Sequence, residues 1–288
     1  MTDYKEARFT SHDGLSLYYR DYAGTGTGAD SAVPVLCLPG MTRNSKDFED
    51  LAPHLAHTRR VLCADLRGRG RSDPDPDIGN YNAKIYAKDM WELLDHAGIP
   101  EVVVVGTSLG GIMAMLMATL KPERVRGAIL NDIGPKLEQE GLDRIAGYVS
   151  RATEVHTWNE AAEATREPNQ AFYPDFGPDD WMKFARRTYV EDETGGGIRP
   201  DYDSGVGEAM RAASGGPTEM WPIFEGLKPI PALVLRGELS DLLSEESVDL
   251  MVNVKPDLQR ATIPQRGHVP ALDEPQSLAA IGAFFSRL

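Results

Sequence analysis

The chain has 288 residues, 41% of them hydrophobic, and a net charge of −14. That length supports one large α/β domain carrying an insertion, or two small domains. The acidic balance argues against nucleic acid or an anionic membrane as partner. No apolar run approaches the roughly 20 residues of a membrane span. The Met1-Thr-Asp-Tyr-Lys start has neither a basic region nor an apolar one, so a cytoplasmic location is expected.

Residues 5–23 alternate around His12-Asp13-Gly14, with Leu15, Leu17 and Tyr19 on one face, which predicts an antiparallel hairpin. Gly24-Thr-Gly-Thr-Gly28 is a loop. Its spacing does not fit a dinucleotide fingerprint and no helix follows it. Val33–Leu38 reads as a buried strand ending in Pro39-Gly40-Met41-Thr42-Arg43-Asn44, with a helix near Phe48. Arg60–Asp65 is a second buried strand, leading into Leu66-Arg-Gly-Arg-Gly-Arg-Ser-Asp73. Those alternating arginines stand alone in an acidic chain and read as a loop at a strand end, not as an RNA site. Cys37 and Cys63 both fall inside strand-like runs and read as buried free thiols. Asn82 can cap a helix that runs to Gly98, with Tyr86, Met90, Leu93, Leu94 and Ala97 on one face. His96 sits at its favourable C-terminal end.

The most informative stretch is Glu101–Leu120. Four valines predict a buried parallel strand, and Ile112–Leu120 is apolar nearly all round, as in a helix under a sheet. Between them lies Gly106-Thr107-Ser108-Leu109-Gly110, which fits G-x-S-x-G in the strand-turn-helix context the motif requires. A sharp turn lifts the serine hydroxyl clear of the sheet. The helix N-terminus behind it offers free N–H groups and a positive dipole where an oxyanion would form.

Arg126–Leu130 is the next strand, ending in Asn131-Asp132-Ile133-Gly134. From 135 to 217 the alternation of strand and helix breaks. Helical patches fall at Leu142–Ser150, Asn159–Arg166 and Asp180–Tyr189, and a Gly195-Gly-Gly197 run leads into an open, polar stretch. This segment reads as a helical insertion over the sheet. Trp158, Trp181 and Trp221 are expected to pack the core or the insertion. If they reach the substrate, large-to-small changes at Trp158 or Trp181 should alter the preferred acyl length. The α/β pattern resumes with strands Pro231–Arg236 and Leu258–Ile263. Gly237-Glu-Leu-Ser-Asp241 follows the first, Gln265-Arg-Gly-His268 the second, and a last helix buries Leu278, Ile281, Phe284 and Phe285.

Ser108, Asp241 and His268 each sit just past a predicted buried strand. Parallel strands share their C-terminal edge, so the three can meet there. A serine nucleophile, a histidine base and a carboxylate that orients it make an acyl-transfer triad. Asp241 competes for the acid position with Asp132 and Glu238. His12, His54, His57 and His156 carry no motif and are expected to be surface or satisfied residues. No Cys/His cluster or H-E-x-x-H run suggests a metal.

The sequence resembles the α/β-hydrolase fold family over nearly its whole length apart from the insertion. The motifs that carry the likeness are Leu38-Pro39-Gly40-Met41, Asp65-Leu-Arg-Gly-Arg-Gly-Arg-Ser72, Gly106-Thr-Ser-Leu-Gly110, Gly237-Glu-Leu-Ser-Asp241 and Gly267-His268. The resemblance implies a mostly parallel sheet flanked by helices, with residues 1–134 and 218–288 as core and 135–217 as a helical cap. It implies Ser108 as nucleophile, His268 as general base, Asp241 as its partner, and the backbone N–H groups of Met41 and Leu109 as the oxyanion hole. The activity implied is hydrolysis of a small carboxylic ester or lactone, with no cofactor and no metal; the sequence does not decide between monomer and homodimer. Hydrolysis of an enol-lactone or C–C bond, and cofactor-free perhydrolysis, use the same triad. A receptor-like protein that binds ligand without turnover is the non-enzymatic alternative. A serine at the elbow excludes the typical haloalkane dehalogenases and epoxide hydrolases, which carry aspartate there.

Overall fold

A computed structural model describes residues 4–29, 31–149, 155–192, 196–212 and 219–288. Its centre is an eight-stranded sheet. In chain order the strands are β1 (Lys5–Thr10), β2 (Ser16–Tyr22), β3 (Val35–Leu38), β4 (Val61–Ala64), β5 (Val102–Thr107) and β6 (Val125–Asn131). A separate pair, β7 (Tyr189–Glu191) and β8 (Ile198–Pro200), precedes β9 (Ala232–Gly237) and β10 (Gln259–Ile263). The sheet order is β1-β2-β4-β3-β5-β6-β9-β10. The pairs β1/β2 and β2/β4 are antiparallel and every other neighbour pair is parallel.

The helices are α1 (Leu51–Ala56), α2 (Ala83–His96), α3 (Leu109–Leu120), α4 (Gln139–Val149), α5 (Trp158–Asn169), α6 (Pro178–Thr188), α7 (Ser204–Ala212), α8 (Trp221–Phe224), α9 (Glu245–Val254) and α10 (Pro275–Phe285). The valine run shows why they form layers on both sides of the sheet. Val103 and Val105 point to one face, where Leu51, Leu55, Ile281 and Phe284 of α1 and α10 cover them. Val102 and Val104 point to the other, against Met90, Leu94, Met113 and Met117 of α2 and α3. All four valines are fully buried, as a central parallel strand with helices on both faces requires.

The local signals act as the sequence suggests. Asn82 adopts an extended conformation and accepts hydrogen bonds from the backbone N–H groups of Lys84 and Ile85, capping α2. Cys37 and Cys63 are buried free thiols facing each other across β3 and β4. Near Phe48 the chain forms a 3₁₀ turn, Ser45–Phe48, before α1.

Between β6 and α8 the chain leaves the layered pattern. Lys136 and Glu219 form an antiparallel bridge, so the segment departs and returns at one place. The three helical patches are α4, α5 and α6. Ser150 and Gly195 lie outside the described residues. The stretch expected to be open and polar holds β8 and α7, which the sequence reading missed because each is short. Helices α5 and α6 share a small core of their own, built from Ala161, Ala185, Tyr189 and Ile198. Helices α4 and α7 instead bury Ile145 and Val206 in continuity with the main core.

Candidate active site

The turn at Ser108 is built by close approach and strain. A Cβ on Gly106 would lie 2.2 Å from the carbonyl oxygen of Gly110, so only glycine lets β5 and α3 come this near. Ser108 then takes φ 51° and ψ −114°, a left-handed conformation that costs a non-glycine residue about 1–3 kcal/mol. Its N–H donates to the Asn131 carbonyl at 3.1 Å, which fixes the turn against β6. The hydroxyl projects into a cavity of about 380 Å³ at the C-terminal edge of the sheet.

His268, beyond β10, brings its Nε2 to 3.0 Å from Ser108 Oγ. Its Nδ1 lies 2.8 Å from Oδ2 of Asp132. The expectation that Asp241 partners His268 is therefore corrected. Asp132 follows β6 directly, is fully buried, and its carboxylate is the hub of the next loop. Oδ1 accepts the Gly237 N–H at 2.7 Å and Oδ2 the Ser240 hydroxyl at 2.6 Å. The Gly237–Ser240 turn thus wraps around a carboxylate that comes from the neighbouring strand, and Asp241 is carried past it. Asp241 pairs instead with Arg144 of α4, at 2.5 Å from Nε to Oδ2 and 2.9 Å from Nη2 to Oδ1. Glu238 accepts the N–H of Gln265 at 3.0 Å. The usable signal was the spacing: Asp241 stands four residues past Gly237, while Asp132 stands at the very end of a strand beside the nucleophile strand.

The loop after β3 lies over the serine. A Cβ on Gly40 would be 3.9 Å from Ser108 Cβ. Met41 and Leu109 both line the cavity, and neither N–H donates to a protein acceptor among the described residues. Leu109 is the first residue of α3, where a helix leaves its N–H groups unpaired. The arginine-rich loop supports this arrangement. Arg69 is 1% exposed and donates from Nε to the Met41 carbonyl at 2.8 Å, and its Nη1 bonds the Tyr86 hydroxyl and the Arg67 carbonyl. Asp65 receives the backbone N–H groups of Ser45 and Arg71, and burial raises its carboxyl above the usual range despite them.

Sequence reasoning also missed Asn131 and Tyr173. The Asn131 amide donates to Thr107 Oγ1 at 3.1 Å and to the Pro270 carbonyl at 2.9 Å, joining the serine turn to the histidine loop. Tyr173 contacts the same loop from the other side. The cavity's far wall is aliphatic on one side, with Leu142, Ile145 and Met210, and aromatic on the other, with Tyr173, Phe176 and Phe184. The tryptophans do not form it. Trp158 donates to Glu191 and lies under Arg186, Trp181 is buried behind Phe176 and Phe184, and Trp221 packs on Phe224. His12, Asp89 and Glu92 are the one cluster among the described residues with metal-ligand spacing, and Asp89 is bound to Arg67.

A strand-elbow-helix serine at the sheet edge, with a histidine from beyond the last strand, defines a class of enzymes. The chain belongs to the alpha/beta hydrolase fold family, whose model matches residues 33–275. Among curated proteins it is similar to the 3-hydroxybutyrate-oligomer hydrolase of Cupriavidus necator, 31% identical with 94% of each chain covered. It is also similar to the 2-(acetamidomethylene)succinate hydrolase of Mesorhizobium japonicum, 29% identical over 81% of each. Among solved structures, an alpha/beta hydrolase from Novosphingobium aromaticivorans is 44% identical with a TM-score of 0.93, and each chain is covered in full. Hydrolysis is the activity that the family and these relatives support. Among the described residues no helix is long and apolar enough to cross a membrane.

Proposed function

We propose that the chain is a serine hydrolase of small carboxylic esters, with Ser108 as nucleophile, His268 as general base and Asp132 as the acid that orients it. The observation that carries this reading is the unbroken hydrogen-bonded line from Ser108 Oγ through both ring nitrogens of His268 to Asp132, at the floor of the cavity. Ser108 Oγ attacks the ester carbonyl while its proton passes to His268 Nε2. The carbonyl oxygen becomes an oxyanion that the Met41 and Leu109 N–H groups receive. The intermediate collapses, and the leaving alkoxide takes the proton from His268. A water then gives its proton to His268, its oxygen attacks the acyl carbon, and the acid departs as Ser108 recovers its proton. No step needs a metal or cofactor.

Residues 135–217 act as the cap that bounds the acyl-binding space. The similarity to a hydrolase of 3-hydroxybutyrate oligomers favours short esters of hydroxy acids as substrates. The likeness to the 2-(acetamidomethylene)succinate hydrolase supports a second reading, a small carboxylate-bearing substrate that is not an ester. Purified protein assayed on p-nitrophenyl acetate, 3-hydroxybutyrate dimer, lactones and 2-(acetamidomethylene)succinate separates the two. Labelling by a serine-directed phosphonate at Ser108 alone, with turnover abolished in Ser108→Ala, is the expected result. Retained turnover in that variant, or label elsewhere, overturns the proposal.

A further inference from the structure

Tyr173 follows the 3₁₀ turn Gln170–Phe172 that ends α5. Its ring is 2% exposed and packs on Phe176, Trp181 and Phe184. Its hydroxyl serves the backbone next to the base. It donates to the Val269 carbonyl at 2.7 Å and accepts from the Val269 N–H at 3.0 Å. On the other side of His268, the Gly267 N–H donates to the Phe172 carbonyl at 2.8 Å. A Cβ on Gly267 would lie 2.4 Å from Phe172 Cβ, so a side chain there would force the two segments apart. Two consecutive residues of the insertion therefore bracket the histidine. Arg266 extends the junction by bridging Asp175 at 2.6 Å and Glu274 at 3.0 Å.

Resting on the reading of His268 as base, we propose that Tyr173 is a positioning residue: its hydroxyl holds the histidine loop from the cap side and sets the distance between His268 and Ser108, so that the cap governs turnover as well as the shape of the cavity. The reason is mechanical. Asp132 grips only Nδ1, about which the imidazole can still rock. Keeping Nε2 at 3.0 Å from Ser108 requires that the backbone on both sides of His268 stay fixed. A misplacement of about 1 Å costs on the order of 10² in rate. Burial raises the Tyr173 phenol above its ordinary value, so the O–H remains a donor throughout the neutral range. Phenylalanine keeps the ring and its packing but can neither donate to nor accept from Val269.

The test uses p-nitrophenyl acetate, whose acyl group is too small to fill the far wall. Tyr173→Phe is expected to lower kcat on the order of 10- to 100-fold with KM changed less than about threefold, the pattern of an interaction needed only in the transition state. Exchange of the His268 Nδ1 proton, followed by NMR, should speed up at least about tenfold by the same loosening. Trp181→Phe, which alters the packing on the Tyr173 ring outside the cavity but keeps the hydroxyl, should leave kcat within about twofold. Asp175→Asn, which loosens the junction at an exposed ion pair, should lower kcat by a smaller factor of about three and serves if Tyr173→Phe does not fold. Wild-type kcat and proton exchange in Tyr173→Phe, or an equal loss in Trp181→Phe, overturns the inference. If wild type cleaves no ester and Ser108 takes no label, the ester reading fails by itself, and the proton exchange still decides the role of Tyr173.

Discussion

Replacing Asp132 by Asn tests the relay at its most constrained point. The carboxylate accepts from three donors: the Gly237 N–H, the Ser240 hydroxyl and His268 Nδ1. An amide has one accepting oxygen. If that oxygen stays with Gly237, the NH₂ group faces His268 and forces the tautomer protonated on Nε2, which cannot take a proton from Ser108. If the amide flips, its NH₂ faces the buried Gly237 N–H, and two donors are left unpaired at a cost of about 1–3 kcal/mol. The kcat for a p-nitrophenyl ester should fall on the order of 10⁴, as when the wrong tautomer is held in other triads, which corresponds to about 5.5 kcal/mol of barrier. Denaturant unfolding should show a loss of about 2 kcal/mol. Asp241→Asn should behave oppositely. It weakens the ion pair with Arg144, costs about 1–3 kcal/mol of stability at this partly buried site, and keeps kcat within about tenfold. Both variants measured in one assay decide the matter. A near-normal Asp132→Asn beside an Asp241→Asn reduced by 10⁴ would refute the reasoning.

Ser108→Ala should lose on the order of 10⁴–10⁶ in kcat and leave the fold intact, because the strained turn is still held by Gly106 and Asn131; circular dichroism and the ester assay check both. Leu142→Ala widens the aliphatic side of the cavity and should shift the hexanoyl-to-acetyl ratio of kcat/KM about tenfold, whereas Trp158→Ala should leave it unchanged, since Trp158 lies outside the wall. Burial pushes the Asp13 carboxyl up, but the hydrogen bonds from Arg67 and Ser11 outweigh it and hold it down at about 2. A lowered carboxyl stabilises the fold fully above its unfolded value near 4 and loses that contribution as pH falls toward 2, so the stability gap between wild type and Asp13→Asn should close over this window in acid titrations of unfolding.

Much of this molecule is readable from local chemistry. Four β-branched valines bounded by a turn signal read as a strand buried on both faces, and a glycine two residues before Ser108 announces a turn that the next helix must crowd. His268 is identifiable because a strand precedes it and a helix follows. The acid was harder. Asp132 and Asp241 each follow a strand, and the choice between them depends on how tightly a loop closes after β9, which no pattern of polar and apolar residues reveals. Ser240 is the residue that decides it, by directing its hydroxyl into the Asp132 carboxylate. Tyr173 was invisible for a different reason. Its partner is the backbone of Val269, 96 positions away, and backbone groups leave no trace in sequence. Trp158 and Trp181 pack, the reading that the sequence favoured: neither lines the cavity, Trp181 being buried against Tyr173 and Phe176 and Trp158 half-buried under Arg186.

The acid's origin has a consequence for how the protein loses activity. Ser108 and Asp132 belong to one strand-helix-strand unit, β5-α3-β6, at the middle of the sheet, while His268 arrives from 160 positions beyond the serine, after the strand that forms the sheet's outer margin. Their spacing is set by a local fold that survives as long as the core does. His268 depends on the sheet's border, where a strand has a neighbour on one side only. On heating, any hydrolytic activity should therefore vanish several degrees below the cooperative melt, and return on cooling, with Ser108 still in its strained turn and His268 drawn away from it.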